Sequence, residues 1–191
     1  MKIEIENEQA KIFTPYNNGF INKIKNIGKA RWNSQDKCWT IPVDMIEPAR
    51  EIMRDVYGCA DNDVVEKIKV RVRTLKRLEE LRVPVELMGK VLSIAYGRDS
   101  GASPGEDVAY VSGQCRSGGS VKNWHSEVDE GSVIILNNVS KTLYERYLEN
   151  PSEELEVELI EPKKNKEELI RGKEQLLARL EVIEKELKGK K

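Results

Sequence analysis

The side chains best equipped for chemistry crowd into one stretch, Gly97–Trp124 (GRDSGASPGEDVAYVSGQCRSGGSVKNW), and His125, the only histidine, follows it directly. Two segments of this stretch share a composition. Arg98-Asp99-Ser100-Gly101 leaves one strand-like run, and Arg116-Ser117-Gly118-Gly119-Ser120 leaves another, shortly before Asn123-Trp124. Glycine lets a backbone reach positive φ and approach a ligand closely. Successive N–H groups in such turns form concavities that hold anions. An arginine fork fits phosphate or carboxylate bidentately, and serine hydroxyls add short donors. Asn123 can read a base or amide edge, and Trp124 offers a flat face for stacking. The chemistry is that of a pocket for a small phosphorylated ligand, a nucleotide or a nucleotide-derived signal. Arg98 and Arg116 would meet phosphate or ribose oxygens, the backbone of Ser117, Gly118, Gly119 and Ser120 would cradle phosphate, and Trp124 would stack. Asp99, Ser100 and Asn123 complete the expected set. The same Gly-Ser-Pro-Asp composition also builds loops that simply join strands.

Other chemistries find less support in the spacing. His125 can be written with Ser120 or Ser126 and with Asp99 or Asp129 as a triad, but no GxSxG elbow places the serine. No catalytic residue is assigned, and binding without turnover is the expectation. Asp99, Glu106 and Asp107 offer oxygen ligands for Mg²⁺ or Ca²⁺ without EF-hand spacing. Cys38, Cys59 and Cys115 are odd in number and far apart, which excludes a disulfide framework and a CxxC knuckle. No metal site and no cofactor are assigned.

A second candidate surface lies nearer the start. Between residues 20 and 40, Lys23, Lys25, Lys29, Arg31 and Lys37 stand against Asp36 alone, with Trp32 and Trp39 among them. Cations beside aromatic rings are what single-stranded nucleic acid uses, phosphates on the charges and bases on the rings. Lys25, Arg31, Trp32, Lys37 and Trp39 are the residues of this alternative. Against it stands the reading in which both tryptophans are core and the lysines are ordinary surface.

The elements that must position these residues follow from periodicity. Ile3 and Ile5 alternate with charge, and Lys11-Ile12-Phe13 is a second short strand. Phe20, Ile24 and Ile27 recur at helical spacing before a stop at Gly28. Arg31-Trp32 and Cys38–Ile41 form the arms of a hairpin. Asp44 is expected to cap a helix that runs to Tyr57-Gly58. Ile68, Val70 and Val72 alternate with Lys69, Arg71 and Arg73 as a strand, and the spacing of Leu75, Leu78 and Leu81 fits a helical turn or an irregular strand. Val85–Tyr96 reads as one central strand with a bulge at Gly89. Strands are expected at Val108–Val111, Val133–Leu136 and Leu155–Leu159, with a helix from Ser140 to Leu148. In the tail, Leu169, Leu176, Leu180, Ile183 and Leu187 trace a coiled-coil seam. The fold class expected is α+β: a small N-terminal module (1–60), a basic connector or strand (61–84), a central, mainly antiparallel sheet module (85–162) and a coiled-coil-like C-terminal helix (163–191). That seam is expected to pack on a second copy, giving a homo-oligomer through residues 165–188, or back onto its own chain.

Two resemblances attach to these residues. Tyr16, Phe20, Ile24-Lys25, Arg31-Trp32, Lys37, Trp39 and Pro42, within residues 11–58, resemble the HARP domain, a small α+β module of annealing helicases and of bacterial and phage proteins. That resemblance implies DNA-related work, although no GxxxxGK[ST] motor accompanies it here. The GRDSGA segment followed by SGGSVKNW, within residues 85–160, is similar to an uncharacterised domain of small phage and plasmid proteins. It implies a phage-type sequestering or anti-defence protein that binds a host molecule.

Charge divides the chain in the same places. Its 191 residues carry a net charge of −1, with 39% hydrophobic and 34% charged residues. Residues 64–84 hold seven Lys/Arg against three Glu, residues 85–162 six against fourteen acidic groups, and residues 163–191 ten against six. A polyanion is therefore an unnatural guest for the acidic middle. No apolar run approaches the roughly 20 residues of a membrane span. The opening MKIEIENEQA has no apolar signal core, so a cytoplasmic protein is expected.

Overall fold

Apolar residues at every second position dominate the first 160 residues, and the computed structural model turns them into strands paired antiparallel throughout. It describes residues 1–161 and, beyond them, only Lys173, Leu177, Arg179 and Leu180. Among the described residues no helix is long and apolar enough to cross a membrane.

The first part of the chain folds as β1 (Lys2–Glu6), β2 (Gln9–Phe13), α1 (Asn18–Asn26), β3 (Arg31–Asn33), β4 (Cys38–Pro42) and α2 (Ile46–Tyr57). The sheet order is β1-β2-β4-β3, which leaves β3 on an edge. Pairing of Ile12 with Trp39 and of Ala10 with Ile41 sets these side chains on one face. There they pack with Phe20, Ile24, Met53 and Tyr57 into a core of their own. Lys11, Thr40 and Arg31, one position out of phase, take the other face. Asn17 starts α1 by accepting a hydrogen bond from the Phe20 amide at 2.8 Å. Asp44 does not cap α2. It sits inside a 3-10 turn, Val43–Met45, that delivers the chain into the helix. Gly58 ends α2 at φ +71°, in the left-handed conformation that glycine adopts readily.

The remainder folds as β5 (Lys67–Thr74), β6 (Leu78–Leu81), β7 (Val85–Leu87), β8 (Lys90–Ala95), β9 (Ala102–Ser103), β10 (Val108–Ser112), β11 (Cys115–Gly119), β12 (Trp124–Val128), β13 (Val133–Ser140), α3 (Lys141–Glu149) and β14 (Leu155–Ile160). The sheets are ordered β10-β13-β5-β14, β11-β12-β6 and β7-β8-β9. Val70, Val72, Leu92, Val128, Ile134, Leu136 and Val139 form a second core. The basic stretch expected as a connector thus supplies β5, which lies between two partners and meets the acids of β14 through Arg71–Glu158 and Arg73–Glu156.

Two further expectations are corrected. The fold is mostly antiparallel sheet, four sheets with three short helices among the described residues, rather than an α+β chain closed by a coiled-coil helix. Alternating β-branched residues outnumber helical patterns, and the seam expected at 163–191 lies, apart from Leu180, outside the described residues. Val85–Tyr96 is not one strand. Met88 (φ 49°) and Gly89 (φ 73°) turn it into the β7–β8 hairpin, the conformational pair of a type I′ turn. Leu78 and Leu81 belong to a strand, the second of the two readings that their spacing allows.

The two cores are tied at one place by a carboxylate. Glu86 of β7 accepts from the Asn18 amide at 2.7 Å and from the Asn17 side chain at 2.9 Å, at the start of α1. Burial pushes its pKa up. Close backbone approach adds to the junction, since a Cβ on Gly89 would lie 2.8 Å from the Val56 carbonyl oxygen.

After α2, Arg50 forks onto Asp61 and Arg54 onto Asp63, holding both carboxyls below the usual range. A depressed folded pKa stabilises the protein above the unfolded carboxylate value, and that stabilisation is lost as pH falls through the folded one. Glu86 contributes with opposite sign, because its raised pKa makes the ionised form the less favourable one. Asp61→Asn is expected to lower the urea midpoint at pH 7 and to flatten its decline between about pH 5 and pH 2. Equal declines in the two proteins would show that the Arg50 pair does not contribute.

Candidate functional site

The two glycine-bearing segments of the central part do meet. The β8–β9 turn carries Arg98–Gly101, and Ser117 Oγ reaches across from β11 to donate to the Arg98 carbonyl at 2.7 Å. Their charges, however, are turned to neighbours. Arg98 forks onto Asp99 at 2.7–2.9 Å, and holds that carboxyl below its ordinary range. Arg116 pairs with Asp129 at 2.9 Å. Ser100 closes its own turn, with Oγ accepting from the Tyr96 amide and lying 2.9 Å from the Gly97 carbonyl oxygen.

The second segment is strand, not loop. Ser117, Gly118 and Gly119 pair with Ser126, His125 and Trp124 of β12. Ser120 and Asn123 close the hairpin, with the Ser120 amide donating to the Asn123 carbonyl at 2.9 Å and the Asn123 amide donating back to Ser120 Oγ. Arg82, which the sequence did not single out, donates to Asn123 Oδ1 at 3.0 Å and to the Lys122 carbonyl. The glycines here make room for this molecule's own atoms. A Cβ on Gly118 would fall 2.0 Å from Glu127 Oε1, and one on Gly119, at φ +81°, 2.1 Å from the Asn123 carbonyl oxygen.

His125 has different company from the triad that can be written for it. Ser126 follows it on β12, so the two side chains leave opposite faces, and Ser126 Oγ is buried, accepting from the Ala95 amide at 3.0 Å. His125 shares its face with Glu127, two residues on, and with Glu79, which β6 places opposite Glu127. Glu127 has a side chain only 3% exposed, and Arg77 pairs with its Oε2. Sequence reading missed Arg77, Glu79 and Glu127. Their alternation along β6 and β12 is legible only once the strands are in register. Asp107, offered as a cation ligand, instead pairs with Lys90 at 2.8 Å and accepts from Asn138 at 3.0 Å.

The edge of the N-terminal sheet keeps its cations unpaired. Trp32 and Trp39 face each other across β3 and β4 with ring centroids 5.5 Å apart and planes tilted by 58°. Their surroundings differ sharply: Trp39 is 6% exposed and belongs to the core, whereas Trp32 is 53% exposed. Lys25 of α1 lies 6.0 Å from the Trp39 ring. Arg31, one residue before Trp32, emerges on the opposite face, where Lys29, Arg31, Gln9 and Thr40 line a hollow of about 320 Å³. Lys37 sits in the turn between the arms at φ 51°. Lys25, Lys29, Arg31 and Lys37 form no ion pair among the described residues, while Lys11 and Lys23 nearby are both paired. An exposed ring on one side of a sheet edge and free cations around it can hold a strand that offers bases to one side and phosphates to the other. No protein-family model, curated protein or solved structure matches this chain.

Proposed function

We propose that the protein binds single-stranded nucleic acid along the edge strand β3 without turning it over. The observation that carries this reading is Trp32, a large aromatic left half in water on an unpaired sheet edge. A tryptophan filling the core would be covered, as Trp39 is. Stacking needs an open ring face, and base–aromatic stacking contributes roughly 1–3 kcal/mol per base. Lys25, Lys29, Arg31 and Lys37 supply the phosphate-neutralising charge, and the HARP-like resemblance of residues 11–58 points to the same class of ligand. A small phosphorylated ligand at Gly97–Trp124 has weaker support, because Arg98 and Arg116 already lie on carboxylates.

Anisotropy titration with a labelled oligothymidylate tests the reading. Four phosphate contacts predict a slope of log K against log salt near −3, from about −0.7 per contact on single strands. No binding at low salt, or binding that does not weaken with salt, would remove the proposal.

A further inference from the structure

The geometry points to a second site, unrelated to the nucleic-acid edge: we propose that Glu79, His125 and Glu127 bind a borderline transition-metal dication of the zinc class. One donor atom from each lies within 4.8 Å of the others. His125 Nδ1 is 3.6 Å from Glu79 Oε2 and 3.9 Å from Glu127 Oε1. In a tetrahedral centre with bonds of about 2.1 Å, neighbouring donors stand about 3.4 Å apart, so the two imidazole–carboxylate distances need close by only a few tenths of an ångström and the two carboxylate oxygens, within 4.8 Å of each other, by at most about 1.4 Å. One imidazole and two carboxylates form the N/O donor set that suits zinc or cobalt(II) better than calcium or magnesium.

Sheet register makes the constellation. His125 and Glu127 leave the same face of β12, and β6 sets Glu79 opposite Glu127. An independent observation concerns Glu127. Its side chain is almost wholly buried, its Oε2 meets Arg77, and its Oε1 is turned to the imidazole, 3.9 Å from Nδ1. Arg77 acts as the outer partner that fixes the carboxylate's orientation, as metal-bound carboxylates commonly require. Gly118 opposes His125 on β11 and has no side chain to cover the cluster. His125 and Glu79 remain partly exposed, which leaves a fourth position for water.

Cobalt(II) is the probe, because tetrahedral cobalt absorbs in the visible. The full chain is expected to take up one equivalent with such a band, to lose at least tenfold in affinity in His125→Ala, and to lose about as much in Glu79→Gln. Zinc should displace the cobalt. Both substitutions are at partly exposed positions, and circular dichroism confirms that each variant is folded. Absence of cobalt uptake overturns the proposal. So do uptake unchanged in both variants and a thiolate-to-cobalt charge-transfer band, which would assign the metal to a cysteine.

Discussion

Arg77→Ala is expected to lower stability by about 3 kcal/mol, at the lower end of the 3–5 kcal/mol that follows removal of one partner of a buried pair. Among the described residues Arg77 is the only Lys or Arg paired with the Glu127 carboxylate, and that carboxylate is 3% exposed. Removing it leaves a charge with no counterion beneath β11. Arg77 is itself half exposed, so water entering the gap offsets part of the loss. For a domain of this size the Tm should fall by roughly 6–12 °C, at about 2–4 °C per kcal/mol. The double variant Arg77→Ala/Glu127→Gln should recover much of the difference, since it removes the unpaired charge. A double-mutant cycle isolates that coupling. If Arg77→Ala unfolds within 1–2 °C of the parent, Glu127 is not held in the way described.

Trp32→Ala is expected to weaken oligothymidylate binding roughly 5–150-fold, the equivalent of one stacking contact of 1–3 kcal/mol. Its effect on stability should be small, because over half of the residue is in water. Trp39→Ala should behave in the opposite sense to Trp32→Ala. It empties a core position and should cost about 3–5 kcal/mol of stability, with binding lost through unfolding rather than through a missing platform. Comparing the two variants separates a stacking residue from a packing residue on the same pair of strands. Tight oligonucleotide binding by a folded Trp32→Ala protein would remove the stacking role.

Much of the fold was legible wherever periodicity alone decides. The alternation of Ile68, Val70 and Val72, the β3–β4 hairpin and the stop of α2 at Gly58 all follow from local sequence. The β7–β8 hairpin was not legible, because nearly every residue of Val85–Tyr96 is apolar or small and no Asn-Gly or Asp-Gly marks the turn. Met88 takes positive φ there, which its side chain gives no reason to expect. At the site level, the like composition of the two segments was legible, but their meeting at Arg98 and Ser117 was not, since composition does not say whether two segments converge. What each arginine touches could not, since Asp129 reaches Arg116 only through the β11–β12 register. The glycines of 118–119 were conspicuous for a reason other than ligand approach: they clear space for Glu127 and for the Asn123 carbonyl. Composition marks such positions but does not say whether a ligand or the protein itself fills them.

Parallel titrations of one oligothymidylate at low salt test the central claim most directly, with the parent protein, a Lys25→Ala/Arg31→Ala/Trp32→Ala variant and an Arg98→Ala/Arg116→Ala variant. Binding along β3 predicts that the first variant loses nearly all affinity, while the second stays within about twofold of the parent because its arginines already lie on carboxylates. Full affinity in the first variant, or loss confined to the second, would contradict it and move the ligand to the β8–β12 region.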